Sequence, residues 1–203
     1  MFAKTPKILQ RLFPSLIWSK KTVKKEIWLT FDDGPDPTVT PWILNILKQE
    51  DIKATFFLVG KYIERYPTLL EKIIAEGHKV GNHSYSHKNG WVCKNKDYVS
   101  DIYRCQQLLY KNTLFRPPYG RITKSQISIL KQKYKIVLWD VFSWDFQKNI
   151  TPEKVKKNIL MNTESGSIIV LHNNRKSFNN IQIILRETIH ILKQKGFIFS
   201  NSW

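Results

Sequence analysis

Acidic residues and cysteines are scarce in this chain. Only 16 Asp and Glu stand against 33 Lys and Arg, which leaves a net charge of +17. A surplus of that sign favours an anionic partner such as nucleic acid, a phospholipid surface or an acidic polymer, and equally describes a solvated basic surface. No RNP, zinc-finger or helix-turn-helix signature accompanies the lysines, which argues against specific reading of nucleic acid. The two cysteines, Cys93 and Cys105, lie twelve residues apart. They match no zinc spacing and supply no disulfide framework. Read as reduced thiols, they point to a cytoplasmic location. The apolar stretch Leu12 to Trp18 is broken by Pro14 and is too short to cross a bilayer. It also lacks the small-residue cleavage site of a secretory signal. Internal repeats and low-complexity linkers are missing, as are the Gly-rich phosphate fingerprints of nucleotide-binding folds.

What is present is enough for a single packed domain. The 203 residues are 42% hydrophobic and 13% aromatic, a composition that excludes intrinsic disorder. Seven Trp, eight Tyr and eleven Phe fill a core with some to spare, and flat rings suit the apolar faces of sugars. Residues 1–24 read as a basic N-terminal extension ahead of a single domain at 25–203. Lys4, Lys7, Arg11, Lys20, Lys21, Lys24 and Lys25 fall in the first 25 positions without an acid among them. Leu9, Leu12, Phe13, Leu16 and Ile17 recur there at helical spacing, with Pro14 against one continuous helix. Such a stretch can pack on the domain's own body or lie peripherally on an anionic membrane through residues 1–25.

Short apolar runs alternate with helical patterns along the rest. Strands are expected at Ile27–Phe31, Ala54–Val59, Val80, Phe115–Arg116, Ile136–Val141, Ser167–Leu171 and Phe197–Phe199. Thr40 is expected to cap a helix that starts with Pro41. Further helices are expected from Pro67 to Gly77, over Asp97–Tyr110 and Lys124–Lys131, from Thr151-Pro152, and over Asn180–Lys195. About seven β/α units of this kind require a mainly parallel sheet covered by helices. An open doubly wound sheet and a barrel both satisfy the pattern. Asp32-Asp33, His83, Arg116, Asp145 and His172 each fall at or just past the C-terminal end of a different expected strand. Those ends converge on one mouth only in a barrel, so the α/β class is read as a barrel.

Two segments carry chemistry on their own residues. Asp32 and Asp33 follow a buried strand, and Gly34-Pro35 turns the chain away; alone, this segment is also an ordinary turn. Adjacent residues point in different directions, so the two carboxylates can do different work. His83 and His87 are four apart, a spacing that on a helical turn aims both imidazoles at one cation. With a carboxylate as third ligand, a zinc ion keeps one position for water. Ser84 stands where a zinc protease needs Glu, which excludes that class. His78 and His190 match no motif and read as packing or surface residues, and Asp36 and Asp140 as turn and surface acids. Arg175 and Lys176 read as solvated loop charges or contacts to an acidic substrate.

The run Thr30-Phe31-Asp32-Asp33-Gly34-Pro35, then His83-Ser84-Tyr85-Ser86-His87, then Arg116-Pro117-Pro118-Tyr119-Gly120 resembles the polysaccharide deacetylases of carbohydrate esterase family 4, the NodB-homology domain. The resemblance runs from about Lys25 to Phe199. It implies a single-domain irregular (β/α)7 barrel and a metal triad of Asp33, His83 and His87. It further implies Asp32 as catalytic base, Arg116 as the arginine that holds it, and the Tyr119 N–H as an oxyanion-hole donor. Asp145 would orient His172, the general acid. The implied cofactor is one divalent ion, zinc, with cobalt, nickel or manganese as alternatives. The implied partner is an N-acetylated oligo- or polysaccharide, a bacterial N-acetylhexosamine glycan of the peptidoglycan type. Late in the chain the match departs: Phe142 stands for an Asp, Phe146 for a Trp, Val170 for a Leu and Asn173 for an Asp. These changes bear on the groove wall and leave the eight implied site residues in place. The expected function is hydrolysis of N-acetyl groups on such glycans. The alternatives are a deacylase of a small amide, imide or O-acetyl ester, and a non-catalytic glycan- or membrane-surface-binding protein.

Overall fold

The computed structural model describes residues 2–203; Met1 lies outside them. Seven parallel strands run in the order β5-β4-β3-β2-β1-β7-β6. They are β1 (Glu26–Asp32), β2 (Thr55–Leu58), β3 (Lys79–Asn82), β4 (Leu114–Phe115), β5 (Lys135–Ile136), β6 (Val141–Phe142) and β7 (Ile168–His172). That order is the cyclic order of a barrel opened between β5 and β6, so the sheet curls as the irregular (β/α)7 reading requires. An eighth strand, β8 (Ile198–Phe199), pairs with the start of β1.

The middle strands are nearly continuous runs of apolar residues because both of their faces are covered. Phe31, Phe56, Ile169 and Leu171 on one side pack with Ile43, Leu47, Ile184 and Leu185 from the flanking helices. The helices are α1 (Lys7–Leu12), α2 (Val39–Gln49), α3 (Gly60–Arg65), α4 (Pro67–Ala75), α5 (Asn95–Gln106), α6 (Lys124–Leu130), α7 (Pro152–Leu160) and α8 (Arg175–Gln194). Among the described residues, no helix is long and apolar enough to cross a membrane.

Several expected boundaries move. Thr40 does not cap α2; the helix starts at Val39, and Asp36 Oδ1 accepts the Thr38 and Val39 N–H groups in the role assigned to Thr40. Thr40 is buried instead, donating to Asn173 Oδ1 at 3.1 Å. The long C-terminal helix begins at Arg175, five residues before the apolar periodicity, because Asn174 caps it by accepting the Ser177 N–H. The short α3 was not expected. The strand expected at Ile136–Val141 is interrupted: Arg116 donates to the Val137 and Leu138 carbonyls through Nε and Nη2, so these oxygens face the guanidinium rather than a neighbouring strand.

The N-terminal segment fills the resulting seam. Ile17 pairs with Val137 and Lys4 with Val141. Phe142 N–H donates to Ala3 O, Thr5 N–H to Asp140 O and Leu138 N–H to Ile17 O. The apolar stripe of this segment is not one helix: α1 ends at Leu12, before Pro14. Leu16 is buried beyond that point, while Ile8 and Leu12 face solvent. Asp140, expected at the surface, is buried. Lys4 pairs with it at 2.7 Å, and Ser167 Oγ and the Ile168 N–H also donate to it.

Candidate active site

The strand register assembles the mouth. Asp32 at the end of β1 lies beside His172 at the end of β7 and Phe57 on β2. Asn82 on β3 aligns with Phe115 on β4, which puts His83 and Arg116 next to each other one residue further on. Asp32, Asp33, His83, His87, Arg116, Tyr119, Asp145 and His172 therefore meet at the C-terminal ends of five parallel strands or in the loops that follow them.

One ligand atom each from Asp33, His83 and His87 lies within 4.8 Å of the others. Asp33 Oδ1 is 3.0 Å from His87 Nε2 and 3.5 Å from His83 Nε2. These separations bracket the edge of roughly 3.4 Å for a tetrahedral ion with bonds of about 2.0–2.1 Å. The donor set fits one divalent ion. His83 Nδ1 donates to the Arg116 carbonyl at 2.7 Å, because a carbonyl can only accept; the free lone pair of the neutral ring is then on Nε2, toward Asp33. Burial opposes ionisation of Asp33, but the imidazoles of His83 and His87 beside it and the charge of His172 hold its carboxyl well below the usual range.

The two histidines do not share a helical turn, as their spacing suggested. Residues 83–87 form a loop in which Ser84 and His87 adopt φ of 60° and 59°. Asp33 and Tyr119 are also left-handed, at 76° and 60°. Side chains rarely adopt this region, and it persists only where the surroundings over-determine it. Here they do. Asp101 on α5 accepts from the Tyr85 N–H, the Ser86 N–H and Ser86 Oγ at 2.7–2.9 Å, and Asn82 Oδ1 accepts the Ser84 N–H at 2.8 Å.

Asp32 is not part of the three-residue cluster. Its Oδ1 receives Arg116 Nη1 at 2.7 Å, and its Oδ2 is 4.0 Å from His83 Nε2. Arg116 is fully buried, and the same Nη1 also donates to Thr30 Oγ1 at 2.7 Å. Across the mouth, His172 Nδ1 meets Asp145 Oδ1 at 2.7 Å, while Asp145 Oδ2 accepts the His172 backbone N–H at 2.7 Å. Ser143 Oγ holds Asp145 at 2.9 Å. Burial would lower the His172 pKa, but Asp145, with Asp33 and Asp32 behind it, lifts it to about 9. Phe146 meets the His172 ring edge-on at 4.7 Å, and Phe142 stacks on Trp139 at 4.9 Å.

The mouth contains groups the sequence reading missed. Asn174 Nδ2 donates to Asp33 Oδ2 at 2.7 Å. Asp101, Thr30 and Ser143 each fix one functional side chain or loop, as described above. An Asn just ahead of a helical pattern is a legible cap signal, but nothing local to Asn174 points at Asp33, 141 positions earlier. Of the residues set aside, His78 is buried and accepts the Ala54 N–H at Nδ1, a packing role as expected. Arg175 pairs with Asp36 at 3.3 Å.

Residues 19–135 match the polysaccharide deacetylase family. Two curated relatives from Bacillus cereus are named peptidoglycan-N-acetylglucosamine deacetylase. One is 40% identical over 155 residues, covering 73% of this chain and 56% of its own. The other is 32% identical over 191 residues, covering 90% and 88%. The chain thus spans little more than half of the first and most of the second. A crystal structure titled as a peptidoglycan N-acetylglucosamine deacetylase with a naphthalenyl N-oxidanyl-benzamide superposes with a TM-score of 0.85. It is 36% identical and covers 91% of this chain and 90% of that one. With the family matched over more than half of its length, and with the motifs converging on one mouth, this chain belongs to the polysaccharide deacetylase family.

Proposed function

We propose that this protein removes N-acetyl groups from N-acetylhexosamine glycans of the peptidoglycan type, with one divalent ion, zinc, held by Asp33, His83 and His87. The observation that carries the reading is the flanking of that cluster by two oppositely equipped groups. On one side stands a carboxylate paired with a buried arginine, on the other an imidazole paired with a buried carboxylate. A purely structural metal site needs neither. When bound, such an ion lowers the pKa of water and polarises an acetyl oxygen.

Asp32 serves as the base that takes a proton from the attacking water. Arg116 Nη1 holds its Oδ1 at 2.7 Å, which leaves Oδ2 as the oxygen that takes that proton. The Tyr119 N–H donates to the developing oxyanion, a contact whose loss typically costs about 10²–10³ in rate. His172 carries the proton for the departing nitrogen. Asp145 holds Nδ1, so Nε2 is the atom that delivers it. Phe146 beside His172 keeps bulk water from one side of that transfer.

Acetate release from N-acetylglucosamine oligomers, measured with and without a chelator, tests the reading. Release that stops on chelation and returns with zinc is expected. An inactive protein with a full metal complement would overturn it, and exclusive cleavage of O-acetyl esters or small imides would redirect it.

A further inference from the structure

Beyond the residues given roles above, the mouth has an aromatic rim. The loop after β3 carries Trp91, and the turn after β4 carries Tyr119 and Arg121. The Arg121 guanidinium lies 5.1 Å from the centre of the Trp91 ring and 5.9 Å from that of Tyr119. Both rings face solvent, at 63% and 60% exposure. Tyr119 meets the His87 ring at 4.6 Å, so this ledge starts one ring away from the metal cluster.

The ledge is built rather than incidental. Buried Gln126 donates from Nε2 to Gly90 O at 2.8 Å and accepts the Thr123 N–H. Trp91 Nε1 donates to Ile122 O at 3.3 Å. A side chain at Gly90 would start 2.5 Å from the Arg121 carbonyl oxygen, so only glycine lets the two loops close on each other. Lys88 nearby is neutralised by Asp101 at 3.7 Å, whereas Arg121 forms no ion pair among the described residues. A guanidinium held against ring faces has lost much of its rotamer freedom before a ligand arrives. Its edge still offers the paired N–H donors that match a carboxylate, and exposed rings suit the apolar face of a pyranose.

We propose that Trp91, Tyr119 and Arg121 form a glycan subsite for a carboxylate-bearing sugar, next to the unit whose N-acetyl group is removed. The inference rests on the deacetylase reading and sharpens it. The preferred polymer carries carboxylates on its backbone sugars, which neutral chitin lacks. The pyranose lies on Trp91, and the carboxylate receives Arg121.

The test compares kcat/KM for two tetrasaccharides, chitotetraose and an alternating N-acetylglucosamine–N-acetylmuramic acid tetramer, in the zinc-loaded wild type and in Arg121→Ala and Trp91→Ala. Wild type is expected to favour the acidic tetramer, and the acidic-to-neutral ratio should fall about tenfold in Arg121→Ala, as for one charged hydrogen-bonded contact. Raising salt from about 0.01 to 0.15 M should shrink the wild-type ratio. A ratio identical in wild type and Arg121→Ala overturns the subsite. If the wild type releases acetate from neither tetramer, the deacetylase reading is what has failed. Calorimetric binding of the acidic tetramer then decides the subsite: weakening of about tenfold in Arg121→Ala supports it, and equal affinity overturns it.

Discussion

The side-chain amide of Asn174 donates to Asp33 Oδ2 at 2.7 Å while the same side chain accepts the Ser177 N–H. One residue thus caps α8 and aims a carboxylate of the proposed metal cluster, leaving Oδ1 to face His83 and His87. Asn174→Ser should keep the cap and lose the contact to Asp33. Zinc affinity, measured by competition with a chromogenic chelator, should weaken roughly 10–100-fold, as is usual for outer-shell partners. The melting temperature of the metal-free protein should stay close to wild type. Asn174→Ala should lose both functions and also melt about 2–4 °C lower, the effect of about 1 kcal/mol in a protein of this size. Unchanged zinc affinity in Asn174→Ser would mean that the Asp33 contact is idle.

The two adjacent aspartates should separate cleanly. Asp32→Asn is expected to retain about one equivalent of zinc and to lose acetate release, since Asp32 Oδ1 is held by Arg116 and its Oδ2 lies 4.0 Å from His83 Nε2, beside the three-residue cluster but not part of it. It should also be destabilised, by up to roughly 3–5 kcal/mol, because the buried Arg116 loses its counter-charge. Metal content, acetate release and the urea midpoint are the three readouts. A metal-free Asp32→Asn protein would show that the roles of Asp32 and Asp33 have been exchanged.

His87→Ala should lose most of its metal by elemental analysis, because it removes the ligand atom 3.0 Å from Asp33. His172→Ala should keep the metal and lose activity unevenly, with amides suffering more than acetyl esters that have good leaving groups. The reason is that an amine leaving group needs the proton more than a phenolate does. Equal losses on both substrate types would argue against His172 as the acid.

His78 makes the fold acid-sensitive. It is buried, its Nδ1 accepts the Ala54 N–H, and burial with nearby Lys53 pushes its pKa down to about 4. In the unfolded chain it titrates near 6.5. Between those values the unfolded state binds the extra proton, so stability rises with pH across that window. The contribution is present above about pH 6.5 and is lost as pH falls toward 4. The drop in urea midpoint from pH 7.5 to 5 should be smaller in His78→Gln, which cannot take up that proton. Identical slopes would exclude His78 as the source.

The order of elements and the side chains that meet at the mouth were legible in the sequence, because both are written in local patterns. Alternating apolar runs and helical periodicities set out about seven β/α units. Polar residues just past the strands marked the mouth without any long-range information, and the three motifs supplied their roles by resemblance. What stayed hidden needs partners that are distant in the chain. Asn174 and Asp33 become neighbours only because β7 pairs beside β1. Asp140 reads as a surface acid until Lys4, Ser167 and Ile168 surround it. The break after Ile136 is imposed by Arg116, whose guanidinium takes two carbonyls that a periodicity would assign to a ladder. The loop that aims His83 and His87 is the clearest case. A four-residue spacing suggests a helical turn, but Asp101 from α5 stabilises left-handed backbone there. Local propensity is a difference of about 1 kcal/mol or less per residue, and three hydrogen bonds to one buried carboxylate outweigh it.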